Sequence, residues 1–244
     1  MIIGGRAHNL KQIREVGELG YPYAEIDVRD PEEVRKQFAE LVELRERYGM
    51  FYLAHYPNED NPVDAGVLRE RFVPKMKELL DLSRDLGIEK GTIHFWIDKR
   101  WAPPGLVPKK LELLSELVAH ATGNGVVLCI ENLTERYDSF SVAFDAVSDL
   151  RMTLDIGHAQ LLSSENTSFN FIKHRFERIA HVHVHDNRGG KTVKDDLHLA
   201  LGEGIVDYPA ILTRLREKGY ASTITMEVIP DDMPRTRAEV ERYI

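Results

Sequence analysis

The chain has 244 residues, with 32 Lys and Arg against 40 Asp and Glu, a net charge of −8, ten His and one Cys. One Cys cannot form an intrachain disulfide or a thiolate metal site alone, so any metal centre must rest on His and carboxylates. The acidic balance counts against a general nucleic-acid binder but not against a local phosphate site, and no segment approaches a signal peptide or a membrane span, so a cytoplasmic protein is expected.

Short apolar runs alternate with helical patterns along the whole chain. Eight runs read as strands: Met1–Gly4, Tyr23–Val28, Met50–His55, Gly91–Trp96, Val126–Glu131, Arg151–Asp155, Ile179–His185 and Ser222–Val228. Most are β-branched or aromatic, bounded by Gly, and too short for buried helices. The intervening helices have readable ends. Asp30-Pro31-Glu32-Glu33 supplies an N-cap, a first-turn Pro and two acids that suit the helix dipole. Val34, Phe38, Leu41 and Val42 follow on one face, and Gly49 ends that helix. Gly20, Gly87 and Gly123 read as similar stops. Pro74 either kinks the third helical segment or marks its true start. Asp207 caps a helix containing Pro209, Ile211, Leu212 and Leu215, which stops at Gly219.

Strands alternating with helices require a parallel sheet, because parallel strands need crossovers. Eight such units, without a linker or composition break, predict an α/β fold: a single (β/α)8 TIM barrel over residues 1–244. Helix-to-strand turns are short, whereas the connections Ile97–Leu106, Asn132–Ser141, Ile156–Thr167 and Asp186–Val206 are long. Long loops therefore gather at one mouth of the barrel, where such enzymes carry their sites.

Six consecutive strands finish on a residue foreign to a core. FYLAHYP presents His55, GTIHFW presents His94, and VVLCIEN presents Glu131. MTLDIGH presents Asp155, with His158 three residues on; HVHVHDN presents His183, and ITMEV presents Glu227. Buried carboxylates are costly unless paired or bound to metal, so their convergence points to a metal site. In the loop after the seventh strand, Asp196-Leu197-His198 places two ligand types on one side of an extended segment. Imidazole and carboxylate together suit Zn²⁺ or Mn²⁺. Leu201-Gly202-Glu203-Gly204 follows.

Other residues read more plainly. His8, His120 and His174 fall away from the mouth and read as structural. His181 reads as packed deeper in the barrel and His185 as standing behind the ligands. Cys129 reads as a small core residue. Trp96 and Trp101 flank the fourth loop and either wall a substrate pocket or pack beneath the loop. Arg188 and Lys191 either hold a phosphate or sugar oxygen or are solvated loop charges.

CIEN, LDIGHA, HVHVHDN, DLHLALGEG and TMEV together resemble the xylose isomerase-like TIM barrel superfamily, from the second strand to the eighth. This superfamily contains sugar and sugar-phosphate isomerases and epimerases, and the endonuclease IV group acting on abasic DNA. In the epimerase branch the resemblance implies one divalent ion held by Glu131, Asp155, His183 and Glu227. Glu131 and Glu227 would also be the acid–base pair, with His94 and His158 orienting hydroxyls. In the endonuclease IV branch it implies three zinc ions held by His55, His94, Glu131, Asp155, His158, His183, Asp196, His198 and Glu227. Glu131 would then bridge two ions, and His158, Asp196 and His198 would hold the third. VHDNRGG, ENLT and DIGHA are closer to the sugar-isomerase pattern. The expected activity is therefore a metal-dependent sugar or sugar-phosphate isomerase or epimerase, with Zn²⁺ or Mn²⁺ as cofactor and a small-molecule partner. The alternatives are a trinuclear-zinc phosphodiesterase acting on abasic DNA and a non-catalytic barrel that retains a ligand site.

Overall fold

In the computed structural model, which describes residues 1–244 apart from the side chain of Val193, eight parallel strands close into a barrel in chain order. The strands are β1 (Ile2–Ala7), β2 (Tyr23–Asp27), β3 (Phe51–His55), β4 (Lys90–Ile93), β5 (Val127–Glu131), β6 (Arg151–Asp155), β7 (Ile179–Val184) and β8 (Thr223–Met226). β8 pairs with β1, Ile2 opposite Thr223 and Gly5 opposite Met226, which closes the ring.

The principal helices lie between and after the strands. They are α1 (Leu10–Glu18), α2 (Pro31–Tyr48), α3 (Val73–Asp85), α4 (Leu106–Gly123), α5 (Tyr137–Ala146), α6 (Ser168–His174), α7 (Tyr208–Glu217) and α8 (Met233–Glu241). The helix α2 begins as its sequence dictates: the Asp30 carboxylate accepts from the backbone N–H groups of Glu32 and Glu33. It ends at Gly49, whose φ of 61° is costly for any residue with a Cβ. Asp207 caps α7 by accepting from Ala210.

Most strand ends differ from the sequence reading by a residue or two; three differences matter for the site or the helices, and the choice left open at Pro74 is decided. β1 does not stop at Gly4 but runs on to Ala7, which carries Arg6 to the mouth. β4 ends at Ile93, so His94 and Trp96 belong to the loop that follows. Gly123 remains helical, and the left-handed turn is made at Gly125. Pro74 falls in the first turn of α3, directly after a π-helical turn, Leu68–Phe72. It therefore marks the start of the regular α-helix, and the wider π-helical turn before it is where the helix adjusts to the missing N–H.

The apolar core lies between the barrel and the helices. The inside of the barrel is polar instead, and its groups satisfy one another. Thr92 and Thr153 are hydrogen-bonded at 2.8 Å, and Tyr23 Oη meets Thr225 Oγ1 at 3.0 Å. Gly4 makes room for the Tyr23 ring, because a Cβ there would stand 2.6 Å from it. Above this layer the strand ends carry the charged residues of the mouth.

Candidate metal centre

Alternation along β5 turns Glu131 inward at the top of the barrel, where it is buried. One of its oxygens, Oε1, lies 3.0 Å from His183 Nδ1 and 3.4 Å from His158 Nδ1. The other, Oε2, lies 2.8 Å from His94 Nε2 and 3.5 Å from His55 Nε2. Burial by itself raises the Glu131 carboxyl. The charges of His183 and His94, with hydrogen bonds from His158 and His183, outweigh burial and hold it well below the usual carboxylate range.

His183 Nδ1 faces three carboxylates at once: Glu131 Oε1 at 3.0 Å, Glu227 Oε1 at 3.4 Å and Asp155 Oδ2 at 3.8 Å. A single ring N–H cannot serve three acceptors, and like charges held this closely repel. A small cation resolves both problems. Donor atoms arranged tetrahedrally at 2.0–2.2 Å from an ion stand about 3.4 Å apart, the spacing these atoms bracket. Among the described residues Asp155 Oδ2 is also buried without a hydrogen-bond partner. The four residues Glu131, Asp155, His183 and Glu227 offer ligand atoms all within 4.8 Å of one another, so the donor set fits a divalent ion. His183 is pushed well above the usual imidazole range: burial lowers it, and the charges of Glu227, Glu25 and Glu131 more than reverse the effect. Glu227 is brought down to about 2, His183 prevailing over burial and over repulsion from Glu131.

Two further groups adjoin this one. His55, His94 and Glu131 form the first. His158, Asp196 and His198 form the second, and the structure adds His185 to it. Asp196 Oδ2 lies 3.1 Å from His158 Nε2 and 3.2 Å from His198 Nε2. All nine residues singled out as ligands in the sequence therefore converge on one mouth. Asn132 locks two of the strand ends together. Its side-chain amide donates to the Asp155 carbonyl at 2.8 Å, and its oxygen accepts from the Asp155 N–H at 2.9 Å.

The residues read as substrate contacts separate. Trp96 lines a cavity of about 390 Å³ at the mouth, together with His94, His158, Leu133 and Lys191. Trp101 points away, 53% exposed with the Arg100 guanidinium 4.2 Å above its ring, and it lines none of the described cavities. Arg188 is exposed and outside that cavity, whose basic lining residue is Lys191.

Two participants escaped the sequence reading. Glu25 in β2 is fully buried, with Oε2 2.8 Å from His181 Nε2 and accepting from Thr225 Oγ1 at 2.6 Å. Arg6 in β1 pairs with Asp27, and its Nε lies 3.4 Å from Glu227 Oε1. The alternation of β2, with acids at 25 and 27, was the available signal. His181 does pack deeper: its Nδ1 meets Thr223 Oγ1 at 2.7 Å, and burial brings it down to about 4 despite Glu25.

The loop after β7 is built around Asp186. Its carboxylate accepts from the backbone N–H groups of Asn187, Gly202, Gly204 and Val206 at 2.9–3.0 Å. This explains the Gly-rich LGEG segment, since a Cβ at Gly204 would stand 2.1 Å from the Asn187 carbonyl oxygen.

Comparison with known proteins agrees with this architecture. The chain is 27% identical over 206 residues to the uncharacterized protein MJ1311 of Methanocaldococcus jannaschii, covering 79% of this chain and 69% of that one. A solved D-tagatose 3-epimerase-like protein superposes with a TM-score of 0.85 at 25% identity, covering 100% of this chain and 97% of that one. A solved IOLI protein with a binding zinc atom shares the fold, with a TM-score of 0.79 at 16% identity over 100% and 99% of the two chains. Residues 13–243 match the family model described as xylose isomerase-like TIM barrel, and the chain belongs to that family.

Proposed function

We propose that this chain is a divalent-metal-dependent isomerase or epimerase of a small sugar or sugar phosphate. The observation that carries this reading is the convergence of Glu131, Asp155, His183 and Glu227 on one point beside a substrate-sized cavity. The likeness to a D-tagatose 3-epimerase-like protein supports it. When bound, a Zn²⁺ or Mn²⁺ ion polarises a sugar carbonyl and so acidifies the neighbouring C–H.

The protein supplies the rest. Glu131 and Glu227 approach from β5 and from the end of β8. One carboxylate removes the α-proton, and a proton relayed from solvent past the other carboxylate is returned to the opposite face, which inverts the carbon. His94 and His158 border the cavity and orient hydroxyls, and the Trp96 ring provides an apolar wall for a sugar face. Lys191 stands at the rim, where it can meet a terminal phosphate or hydroxyl.

The test is solvent deuterium incorporation followed by NMR. Metal-loaded protein is incubated in D₂O with a panel of ketoses and ketose phosphates. Exchange at the carbon next to the carbonyl, with appearance of the epimer or aldose, is the expected result. Absence of exchange across the panel, with the ion bound, would overturn the reading.

A second reading is favoured by one observation: Glu131 also belongs to the His55–His94 group, and a third group stands beside it. A trinuclear-zinc phosphodiesterase acting on abasic DNA would use such an array to activate water and neutralise phosphate. Three bound zinc ions together with cleavage of abasic duplex DNA would establish it in place of the epimerase.

A further inference from the structure

We propose that Glu59 and Lys110, a buried ion pair, are the positioning residues of the substrate cavity. Together they fix the backbone and the ring of Trp96, and so set how well the cavity holds its substrate rather than how fast the chemical step runs. This rests on the reading of that cavity as a sugar site and deepens it, because neither residue belongs to the ligand set or to the acid–base pair.

Lys110 lies early in α4 and is fully buried. An ammonium is almost never buried so completely unless it is paired. Here Nζ lies 2.5 Å from Glu59 Oε1 and donates to the Pro62 carbonyl oxygen at 3.0 Å. It also stands over two aromatic rings, 4.5 Å from the centre of Phe95 and 5.9 Å from that of Trp96. One cation thus joins a helix to the loops after β3 and β4.

Glu59 completes the grip from the loop after β3. Its side chain is 4% exposed, and Oε2 accepts from the Trp96 backbone N–H at 2.8 Å. Glu59 lines a cavity of about 420 Å³ together with His94 and Trp96. With Oε1 on Lys110 and Oε2 on the Trp96 N–H, both oxygens are engaged. The carboxylate therefore holds the cavity wall instead of binding a sugar hydroxyl.

Trp96 needs such support. β4 ends at Ile93, so the residues that follow lie beyond the strand ladder, and their backbone donors must find other acceptors. The next N–H along, that of Ile97, is taken by Glu135 Oε1 at 3.0 Å. Trp96 itself is held at its N–H by Glu59, at its ring face by Lys110, and at its indole Nε1 by Thr134 Oγ1, 3.4 Å away. A buried ion pair adds little net stability, since apolar residues of similar volume often do as well. What the pair supplies is a fixed geometry, and the geometry fixed here is that of the wall.

The test uses the whole chain in a Trp101→Phe background, which leaves Trp96 as the single tryptophan. Glu59→Gln, Lys110→Met and the double variant are compared with that parent at matched metal content, with folding checked by circular dichroism. Each single variant leaves one charge buried without its partner. Without substrate, each should show red-shifted Trp96 emission and faster acrylamide quenching. With D-fructose as the ketose probe, KM should rise about fivefold while kcat stays within about twofold. The double variant has no lone charge and keeps an acceptor for the Trp96 N–H, so it should lie closer to the parent than either single. Trp96 emission and quenching as in the parent, even with a lowered melting temperature, would make the pair structural only and overturn the proposal. A fall in kcat at unchanged KM would also overturn it, as would a double variant carrying the sum of the single effects. Should one single variant fail to fold, the other decides. The substrate-free readouts need neither metal nor turnover, so failure here and failure of the epimerase reading are separable.

Discussion

His183 Nε2 lies 3.0 Å from both carboxylate oxygens of Glu25, a fully buried residue on a strand that the ligand set does not otherwise use. This contact places the ring proton on Nε2 and turns the Nδ1 lone pair towards Glu131, Asp155 and Glu227. Glu25→Gln should therefore weaken metal binding about 10–100-fold. Calorimetric titration with Zn²⁺ or Mn²⁺ checks this, and wild-type affinity in a folded variant would contradict it.

Glu227→Gln removes one member of the proposed acid–base pair while preserving its volume. Turnover should fall about 10²–10⁴-fold, the usual worth of a positioned proton-transfer group. Bound metal is quantified in the same samples, because Glu227 is also a proposed ligand. Full turnover in the variant would remove Glu227 from the mechanism.

Asp27 bears on stability at low pH. Burial raises its carboxyl, but a hydrogen bond with His8 and the charges of Arg6 and Arg29 outweigh this and bring it to about 2. A carboxylate depressed in the folded state stabilises above its ordinary range, near 3.9, and that stabilisation is lost as pH falls through about 2. Asp27→Asn should cost about 1–2 kcal/mol at pH 7, allowing for the part of the carboxylate open to water, and almost nothing at pH 2. Urea unfolding of the metal-free chain at both pH values measures the difference.

Metal removal should lower the melting temperature. A ligand that binds only the folded state at 100 times its Kd adds about 2.7 kcal/mol. For a chain of this size that corresponds to a shift of roughly 5–10 °C, read by calorimetry with and without chelator. A melting temperature indifferent to chelation would count against every ion site proposed above.

Trp96 and Trp101 should part company in kinetics, although they flank the same loop. Trp96→Ala opens the cavity wall and should raise KM about tenfold. Trp101→Ala alters a solvent-facing ring stacked on Arg100 and should change KM less than about twofold.

The barrel and most of its mouth were legible in the sequence for a local reason. A strand alternates with period two, so a His or carboxylate ending an apolar run is placed by its own neighbours, as with His55, Glu131, Asp155 and His183. Helix ends at Asp30 and Gly49 were legible on the same ground, since capping is a short-range matter. Arg6 was hidden because IIGGRA lacks the bulky alternation of a strand. Its Gly residues are there to admit Tyr23 from the paired strand and Met233 from α8, neighbours that only tertiary packing brings close. Glu25 appeared as one acid in an apolar run. Its importance arises from His181, His183 and Thr225, on strands 156–200 residues away. His185 is the clearest case. The sequence could place it on a strand end. Among the described residues neither nitrogen of its buried ring has a hydrogen-bond partner. That follows from how the loop carrying Asp196 and His198 folds back over β7. Residue types and strand ends are set by short-range chemistry; which polar groups remain unpaired in the interior is set by long-range packing, and tertiary structure alone decided that.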